Sequence, residues 1–112
     1  MHSYGNKTSV MNNTKWEELR LGMYDLKEFT PSWRTRDIVT GHICEWDREW
    51  FYHFSEGGYE TIEWVEIKTE DALQKQAVSK VLKLNHIPAE VSEFGYKIYG
   101  YADDTTSIQY VE

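Results

Sequence analysis

Residues 44–64 read CEWDREWFYHFSEGGYETIEW, and they contain three of the five tryptophans of the chain. Aromatic and acidic residues alternate through most of this stretch. Aromatic and β-branched residues favour strands, and alternation with polar residues is typical of a strand with one buried face. Short turn sequences interrupt the pattern at Asp47-Arg48 and Glu56-Gly57. We therefore expect antiparallel strands joined by tight turns.

The alternation continues on both sides of this stretch. SWRTRDIV precedes it, and VEI follows Trp64. The links between the alternating segments are VTG, DR and EG, all of them short. The pattern predicts a four-stranded antiparallel meander, with strands at 32–39, 42–46, 49–54 and 59–67.

Helical periodicity flanks the predicted sheet. Thr14 and Glu17 have the spacing of a capping box, and a helix is predicted over 15–28. Its apolar face comprises Trp16, Leu19, Met23 and Leu26. A second helix is predicted over 69–85, with Thr69 as its N-cap. Its buried stripe comprises Leu73, Ala77, Val81 and Leu84, with Val78 and Leu82 beside it.

The two ends of the chain complete the predicted fold. Residues 1–13 are rich in Asn, Ser, Thr and Lys, and we interpret them as a flexible polar tail. Residues 96–102 and 107–111 alternate again and predict a C-terminal β-hairpin. The sequence thus predicts a single α+β domain over 14–112: an N-terminal helix, a four-stranded antiparallel meander, a second helix and a C-terminal hairpin.

The charge of the chain restricts its partners. The formal net charge is −7, which argues against nucleic acid and against anionic membranes, because both select basic proteins. Eight acidic but only two basic residues lie between 40 and 70, so the acidity is concentrated in the predicted sheet. We expect a basic protein partner, and the alternative is that the charge serves solubility.

Cysteine content and hydropathy indicate the compartment. Cys44 is the single cysteine, so no internal disulfide can form, which fits a reducing cytosol. No apolar run approaches the ~20 residues that span a bilayer. The N-terminal residues also lack the apolar core of a signal peptide. We therefore expect a cytoplasmic protein.

We interpret the aromatic and acidic residues of the predicted meander as the docking surface of a non-enzymatic interaction domain. The candidate anchors are Trp46, Trp50 and Trp64. Tryptophans often dominate the energy of an interface. The carboxylates that would steer a basic partner are Glu49, Glu60 and Glu63. One alternative is that the tryptophans form the core, and another is a homodimer through the same surface.

A second hypothesis is a small enzyme or a domain that binds a ligand or metal, using His53 and Glu60. With two-residue turns, the strand register places His42, His53 and Glu60 in one lateral row. These are zinc or iron ligand types, but their spacing matches no metal motif. A structural His–Glu contact is the simpler interpretation. We assign no catalytic residue, metal or cofactor.

Five segments carry a family resemblance: KWEELR (15–20), WDREWFYHF (46–54), GGYETIEWVEI (57–67), HIPAE (86–90) and YKIYGY (96–101). Together they resemble a family of small bacterial proteins of unknown function, most specifically in WFYHF and GGYE. The resemblance implies a helix, a tryptophan-rich meander, a second helix with an IPxE-like turn and a hairpin, but no activity. In size and acidity the chain also resembles small immunity proteins, which bind and neutralise basic toxin domains.

Overall fold

The computed structural model describes residues 3–106, 108 and 110–111. The elements in chain order are β1 (Ser3–Tyr4), β2 (Lys7–Ser9), α1 (Asn13–Tyr24), a 3₁₀ helix (Lys27–Phe29), β3 (Ser32–Asp37), β4 (Ile62–Lys68), α2 (Ala72–Leu84), β5 (Glu90–Val91), β6 (Gly95–Tyr99) and β7 (Tyr101–Ala102). The α+β class is confirmed, as is the order of a helix, antiparallel strands, a helix and C-terminal strands. No helix in the described part of the chain has the length and apolar character needed to cross a membrane.

A four-stranded antiparallel sheet, in the order β3-β4-β6-β5, forms the centre of the fold. Its register places Trp33 opposite Ile67, and Ile67 opposite Tyr96. These side chains share one face of the sheet. They belong to the same hydrophobic core as Leu19 of α1 and Leu82 of α2. The two helices therefore cover this face.

Two of the four predicted meander strands, 42–46 and 49–54, do not form strands. The segment 42–46 lies beside β3, held by an isolated bridge between Arg36 and Ile43 and by a second one between Trp33 and the adjoining Asp47. In the segment 49–54, residues 50–54 are part of a run of turns that continues to residue 57. Asp47 and Glu49 explain the absence of the second of these strands, because their carboxylates accept backbone N–H groups of residues 49–53 that a strand ladder would need. β5 and β6 complete the sheet instead.

α1 begins earlier than predicted. Its N-cap is Asn12 rather than Thr14, because the Asn12 side chain accepts the backbone N–H of Lys15 at 2.8 Å. The helix ends at Tyr24, and the chain then enters the 3₁₀ helix. The predicted apolar face is confirmed: Trp16, Leu19 and Met23 are buried, and Leu26 packs half-buried against the core.

α2 buries Val78 and Leu82, the pair predicted to lie beside the stripe, rather than the whole predicted stripe itself. Its N-cap is Asp71 rather than Thr69, since the Asp71 side chain accepts the N–H of Gln74 at 2.8 Å. Leu73 and Leu84 are 65% and 87% exposed. The buried side chains are Gln74, Val78 and Leu82. The apolar pattern contains two neighbouring stripes, and packing against the sheet selects between them.

In the described part of the polar N-terminal segment, β1 and β2 pair in a second sheet, which corrects the predicted loose tail there. This sheet has the order β1-β2-β7, with Thr8 opposite Ala102. The chain passes from β6 into β7 at Gly100, where a Cβ would collide with the carbonyl oxygen of Ile62. Only glycine fits so close to another backbone.

The predicted C-terminal hairpin is corrected in the part that the structure describes. β6 pairs with β4, and β7 pairs with β2, so residues 96–102 contribute to two sheets. A hairpin would need them to pair with 107–111. Residues 107 and 109 lie outside the described residues, and Tyr110 forms a bridge with Pro88.

Candidate functional site

The connection between β3 and β4, residues 38–61, is the longest segment of the described chain without a helix or strand. Connections longer than about 15 residues without secondary structure are uncommon in compact domains, and they are usually either functional loops or disordered linkers. Most of the predicted site residues fall in this segment, which we call the β3–β4 loop. It is the candidate functional site.

Two carboxylates shape the backbone of the β3–β4 loop. Asp47 accepts the N–H of Glu49 at 2.8 Å, which forms an Asx turn. Glu49 in turn accepts the N–H groups of Phe51, Tyr52 and His53 at 3.0, 2.8 and 2.7 Å. The bond from the His53 N–H is the largest cause that holds the pKa of Glu49 below its usual 4.5. The charged form of Glu49 is therefore part of the loop structure.

Trp50 and Phe54 fasten the loop to the core. They are 1% and 3% exposed, and their ring centroids are 4.7 Å apart. Trp33 of β3 contacts both rings, at centroid distances of 6.0 and 5.1 Å. The Trp50 indole N–H donates to the carbonyl of Pro31 at 2.9 Å. Trp50 therefore belongs to the hydrophobic core and presents almost no surface to a partner.

Between these buried residues, the loop turns aromatic side chains toward solvent. Tyr52 is 72% exposed, and its ring lies 4.9 Å from that of Phe51. Phe51 also contacts Tyr24 of α1, at a centroid distance of 5.1 Å. Arg20 supports the group, since its guanidinium donates to the Phe51 carbonyl at 2.6 Å and lies 4.9 Å from the Phe51 ring. We call Tyr24, Phe51 and Tyr52 the aromatic crest.

A groove of about 750 Å³ borders the aromatic crest. It is lined by Tyr24, Lys27, Glu28, Thr30, Asp47, Arg48, Glu49 and Trp50. Arg48 crosses it to donate to the carbonyls of Thr30 and Glu28, at 2.9 and 3.2 Å. These bonds connect the β3–β4 loop, which forms one wall of the groove, to the 3₁₀ helix region, which forms the other.

The acids predicted to steer a partner have different surroundings. The Glu49 carboxylate accepts hydrogen bonds from the loop backbone. Glu63 lies in β4, where Lys7 and Arg36 donate to it at 2.9 and 3.1 Å, and its side chain is only 14% exposed. Glu60 is exposed in the turn before β4. The loop also exposes Glu45 and Glu56, two acids that the sequence analysis did not single out as site residues.

The three predicted tryptophan anchors do not form one surface. Trp46 and Trp64 lie on the face of the sheet away from the helices, whereas Trp50 lies on the helix side. Trp64 is 9% exposed, with the Lys97 ammonium 4.6 Å from its ring. Trp46 is half-buried, and the Arg34 guanidinium lies 4.5 Å from its ring. These cation–π contacts stabilise the outer face of the sheet. A binding role for the tryptophans stays a prediction.

The predicted row of His42, His53 and Glu60 does not form, because the strands that would align it are absent from this loop. His53 pairs with Asp47 instead, with its Nδ1 2.8 Å from the carboxylate. The hydrogen bond with Asp47 raises the pKa of His53 above its usual 6.5. Within the described residues, no three or more His, Cys, Asp or Glu side chains are placed to hold a metal ion.

The sheet, both helices and the whole β3–β4 loop lie within one family match. Residues 3–105 match the model of a family of unknown function, DUF6678. The chain belongs to DUF6678. No curated protein and no solved structure matches it. The expected membership of an unknown-function family is thus confirmed. The assignment of WFYHF and GGYE as its specific motifs and the likeness to immunity proteins stay predictions.

The sequence pattern does not reveal the aromatic crest, because the alternation at 49–54 predicts a strand where the structure has turns. A strand would place Trp50, Tyr52 and Phe54 on one face, yet Tyr52 is exposed while its two neighbours are buried. Asp47-Arg48-Glu49 contained the signal that could have corrected this. An Asp that accepts the N–H two residues later is typical of a turn.

Proposed function

We propose that this chain is a protein-interaction module that binds a basic protein segment through the aromatic crest and the acidic β3–β4 loop. The observation that carries the proposal is the 72% exposure of Tyr52 on a loop whose backbone Glu49 holds. Tyrosine supplies a large contact area with few rotatable bonds. A preorganised backbone also lowers the entropy cost of binding.

Contiguity distinguishes the aromatic crest from an ordinary exposed side chain. Isolated exposed apolar residues are normal on protein surfaces. Here Tyr52, Phe51 and Tyr24 form an unbroken series of ring contacts that joins the loop to α1. A binding surface built on two packed elements keeps its shape when a partner docks.

Charge supports a basic partner. The β3–β4 loop contains five acidic residues and a single Lys or Arg, Arg48. The Arg48 guanidinium is directed at backbone carbonyls of the 3₁₀ helix region. An acidic surface accelerates association with a basic partner, and salt weakens this effect.

A pull-down from lysate of the source cell tests the proposal. The immobilised chain is exposed to lysate at low and at high salt, and retained proteins are identified by mass spectrometry. We expect a basic protein that is retained at low salt and released at high salt. Tyr52→Ala should abolish retention, and Glu56→Gln should weaken it. Leu84→Ala, which truncates an 87% exposed side chain on α2, is the control and should retain the partner.

Two results would contradict the proposal. If Tyr52→Ala retains the same protein, the aromatic crest is not the binding surface. Retention of no specific protein at either salt would remove the interaction module itself. Light scattering tests the homodimer alternative, in which the partner is a second copy: a mass near 13.3 kDa indicates a monomer.

A further inference from the structure

α2 carries an apolar stripe that the fold only partly covers. It comprises Leu73, Ala77, Val81 and Leu84. Successive members are three or four residues apart, so they lie along one side of the helix. The end members, Leu73 and Leu84, are 65% and 87% exposed, and the two between them are half-buried. We call these four residues the α2 stripe.

The α2 stripe has the dimensions of a helix-packing surface. A helix rises about 1.5 Å per residue, so the stripe extends for about 16 Å, or three turns. A single exposed leucine is ordinary, whereas a regular apolar stripe is typical of a helix face that packs against another element. Ala77 has a short side chain, so an apolar side chain of a partner can pack close to the backbone between the two leucines. The stripe therefore matches the surface by which one amphipathic helix binds another.

Basic side chains border the α2 stripe. Lys80 lies three residues after Ala77 and four before Leu84, and Lys83 follows one turn later on the same edge. Both lysines are exposed, and neither is paired with an acid among the residues that the structure describes. Ala72–Leu84 contains three lysines and no acid, whereas the net charge of the whole chain is −7.

α1 lies along the other side of the stripe, at Gly22. Two acids lie one turn from Gly22 along α1: Glu18, which pairs with Lys15 at 3.5 Å, and Asp25. They reduce the basic excess around the stripe without reversing it, because α2 contributes three lysines and Lys15 adds a fourth. The complementary surface is therefore apolar at its centre and acidic at its edge.

An acidic helix of another protein fits the α2 stripe better than a bilayer or a second copy does. The net charge of −7 opposes an anionic bilayer, and α2 contains no aromatic residue that would anchor it at the headgroups. Pairing with α2 of a second copy would bring the same three lysines together, and like charges on facing helices repel.

We propose that the α2 stripe docks an acidic amphipathic helix of a protein partner. The apolar side chains of that helix would pack between Leu73 and Leu84, and its carboxylates would pair with Lys80 and Lys83. This surface is separate from the aromatic crest, which selects a basic partner, and shares no residue with it.

An NMR titration of the full chain with designed peptides tests this surface. The probe is a capped helical peptide of about 16 residues, long enough to span the stripe, with leucines at the spacing of the stripe and glutamates on both flanks. We expect saturable shifts of the amide signals of Gln76, Lys80 and Leu84. A peptide with lysines in place of the glutamates should bind about tenfold more weakly, because it repels the lysines of α2.

Two pairs of variants separate specific docking from general attraction. Leu84→Ala should weaken binding of the acidic peptide by about tenfold, because buried apolar area is lost. Its control, Val91→Ala, truncates a 70% exposed side chain in β5 and should bind like the wild type. Lys80→Glu should also weaken binding by about tenfold. Its control, Lys75→Glu, makes the same charge change away from the stripe, where Lys75 faces the Tyr96 ring, and should bind within about twofold of the wild type.

Three outcomes would overturn the docking surface: equal binding of the two peptides, equal affinity of Leu84→Ala and Val91→Ala, or equal affinity of Lys80→Glu and Lys75→Glu. Binding to phosphatidylglycerol vesicles that Leu84→Ala abolishes would replace the acidic helix by a bilayer. A dimer mass by light scattering that Leu84→Ala halves would replace it by a second copy. Tyr52→Ala should leave peptide binding unchanged, so this proposal and the proposed function fail separately.

Discussion

Glu49 accepts three consecutive backbone N–H groups, and this one side chain shapes the turn at residues 50–53 of the β3–β4 loop. Backbone donors need partners, and a carboxylate that receives several of them acts like a helix N-cap. Asp47 adds a fourth such bond from Glu49 itself. In this turn Trp50 and Phe54 point into the core, and Tyr52 between them points to solvent.

Replacing Glu49 by Gln tests this role. We expect Glu49→Gln to lower the free energy of unfolding by about 1 kcal/mol at pH 7, as loss of a cap does. Because folding lowers the pKa of Glu49, its contribution is present above pH 4.5 and is lost as the pH falls through the folded pKa. The difference from wild type, measured by urea unfolding, should therefore shrink below pH 4.5.

Glu56→Gln serves as the control for Glu49→Gln. Glu56 is exposed in the same loop, and its loss should change the free energy of unfolding by less than about 0.5 kcal/mol. An effect of Glu49→Gln that stays constant from pH 7 to pH 3 would show that the charge of Glu49 is not what stabilises the loop.

Lys27 marks the junction between α1 and the sheet. It follows α1 in the 3₁₀ helix with a φ of +57°, a left-handed conformation that disfavours any residue with a Cβ. It also lines the groove beside the aromatic crest. Backbone strain of this kind concentrates at functional positions, which agrees with the placement of the candidate site.

Lys27→Gly should relieve this strain. We expect the free energy of unfolding to rise by about 1 kcal/mol, because the left-handed conformation costs a residue with a Cβ about 1–2 kcal/mol. The greater chain entropy of glycine, about 0.5–1 kcal/mol, offsets part of this gain. Glu28→Gly, at the next position with an ordinary φ, should lower the free energy of unfolding by a similar amount. Urea unfolding of both variants measures the contrast. If Lys27→Gly is also destabilised, the lysine side chain stabilises the junction by more than the strain costs.

The two helices meet at Gly22, where α1 packs closely against α2. A Cβ at this position would lie 2.5 Å from Cγ1 of Val81 in α2. Glycine inside a helix costs about 1 kcal/mol relative to alanine. Here the missing side chain lets the helices approach, so the cost in α1 is offset by close packing between α1 and α2.

A double-mutant cycle tests this contact. Gly22→Ala alone should lower the free energy of unfolding by about 1–3 kcal/mol through overpacking, although helix propensity favours alanine. In a Val81→Ala background, the same change should be neutral or stabilising by up to about 1 kcal/mol. Thermal or urea unfolding of the four proteins gives the coupling. Additive effects would mean that the two positions do not interact.

Local patterns in the sequence are sufficient to predict the α+β class, the buried face of α1 and the strands around Trp33 and Ile67. Each of these depends on the spacing of apolar residues over one or two turns or along one strand. The acidity of the β3–β4 loop was also evident from composition. These features can be predicted from the sequence because residues close together in the chain specify them.

The other features of the fold are decided by long-range packing. Residues 49–54 have strand composition, but the Glu49 carboxylate competes with the strand ladder. β2 is polar, and it pairs with β7 near the other end of the chain. α2 offers two apolar stripes, and the sheet covers the one containing Val78. In each case the deciding partner is a side-chain acceptor or a distant surface, which periodicity cannot show.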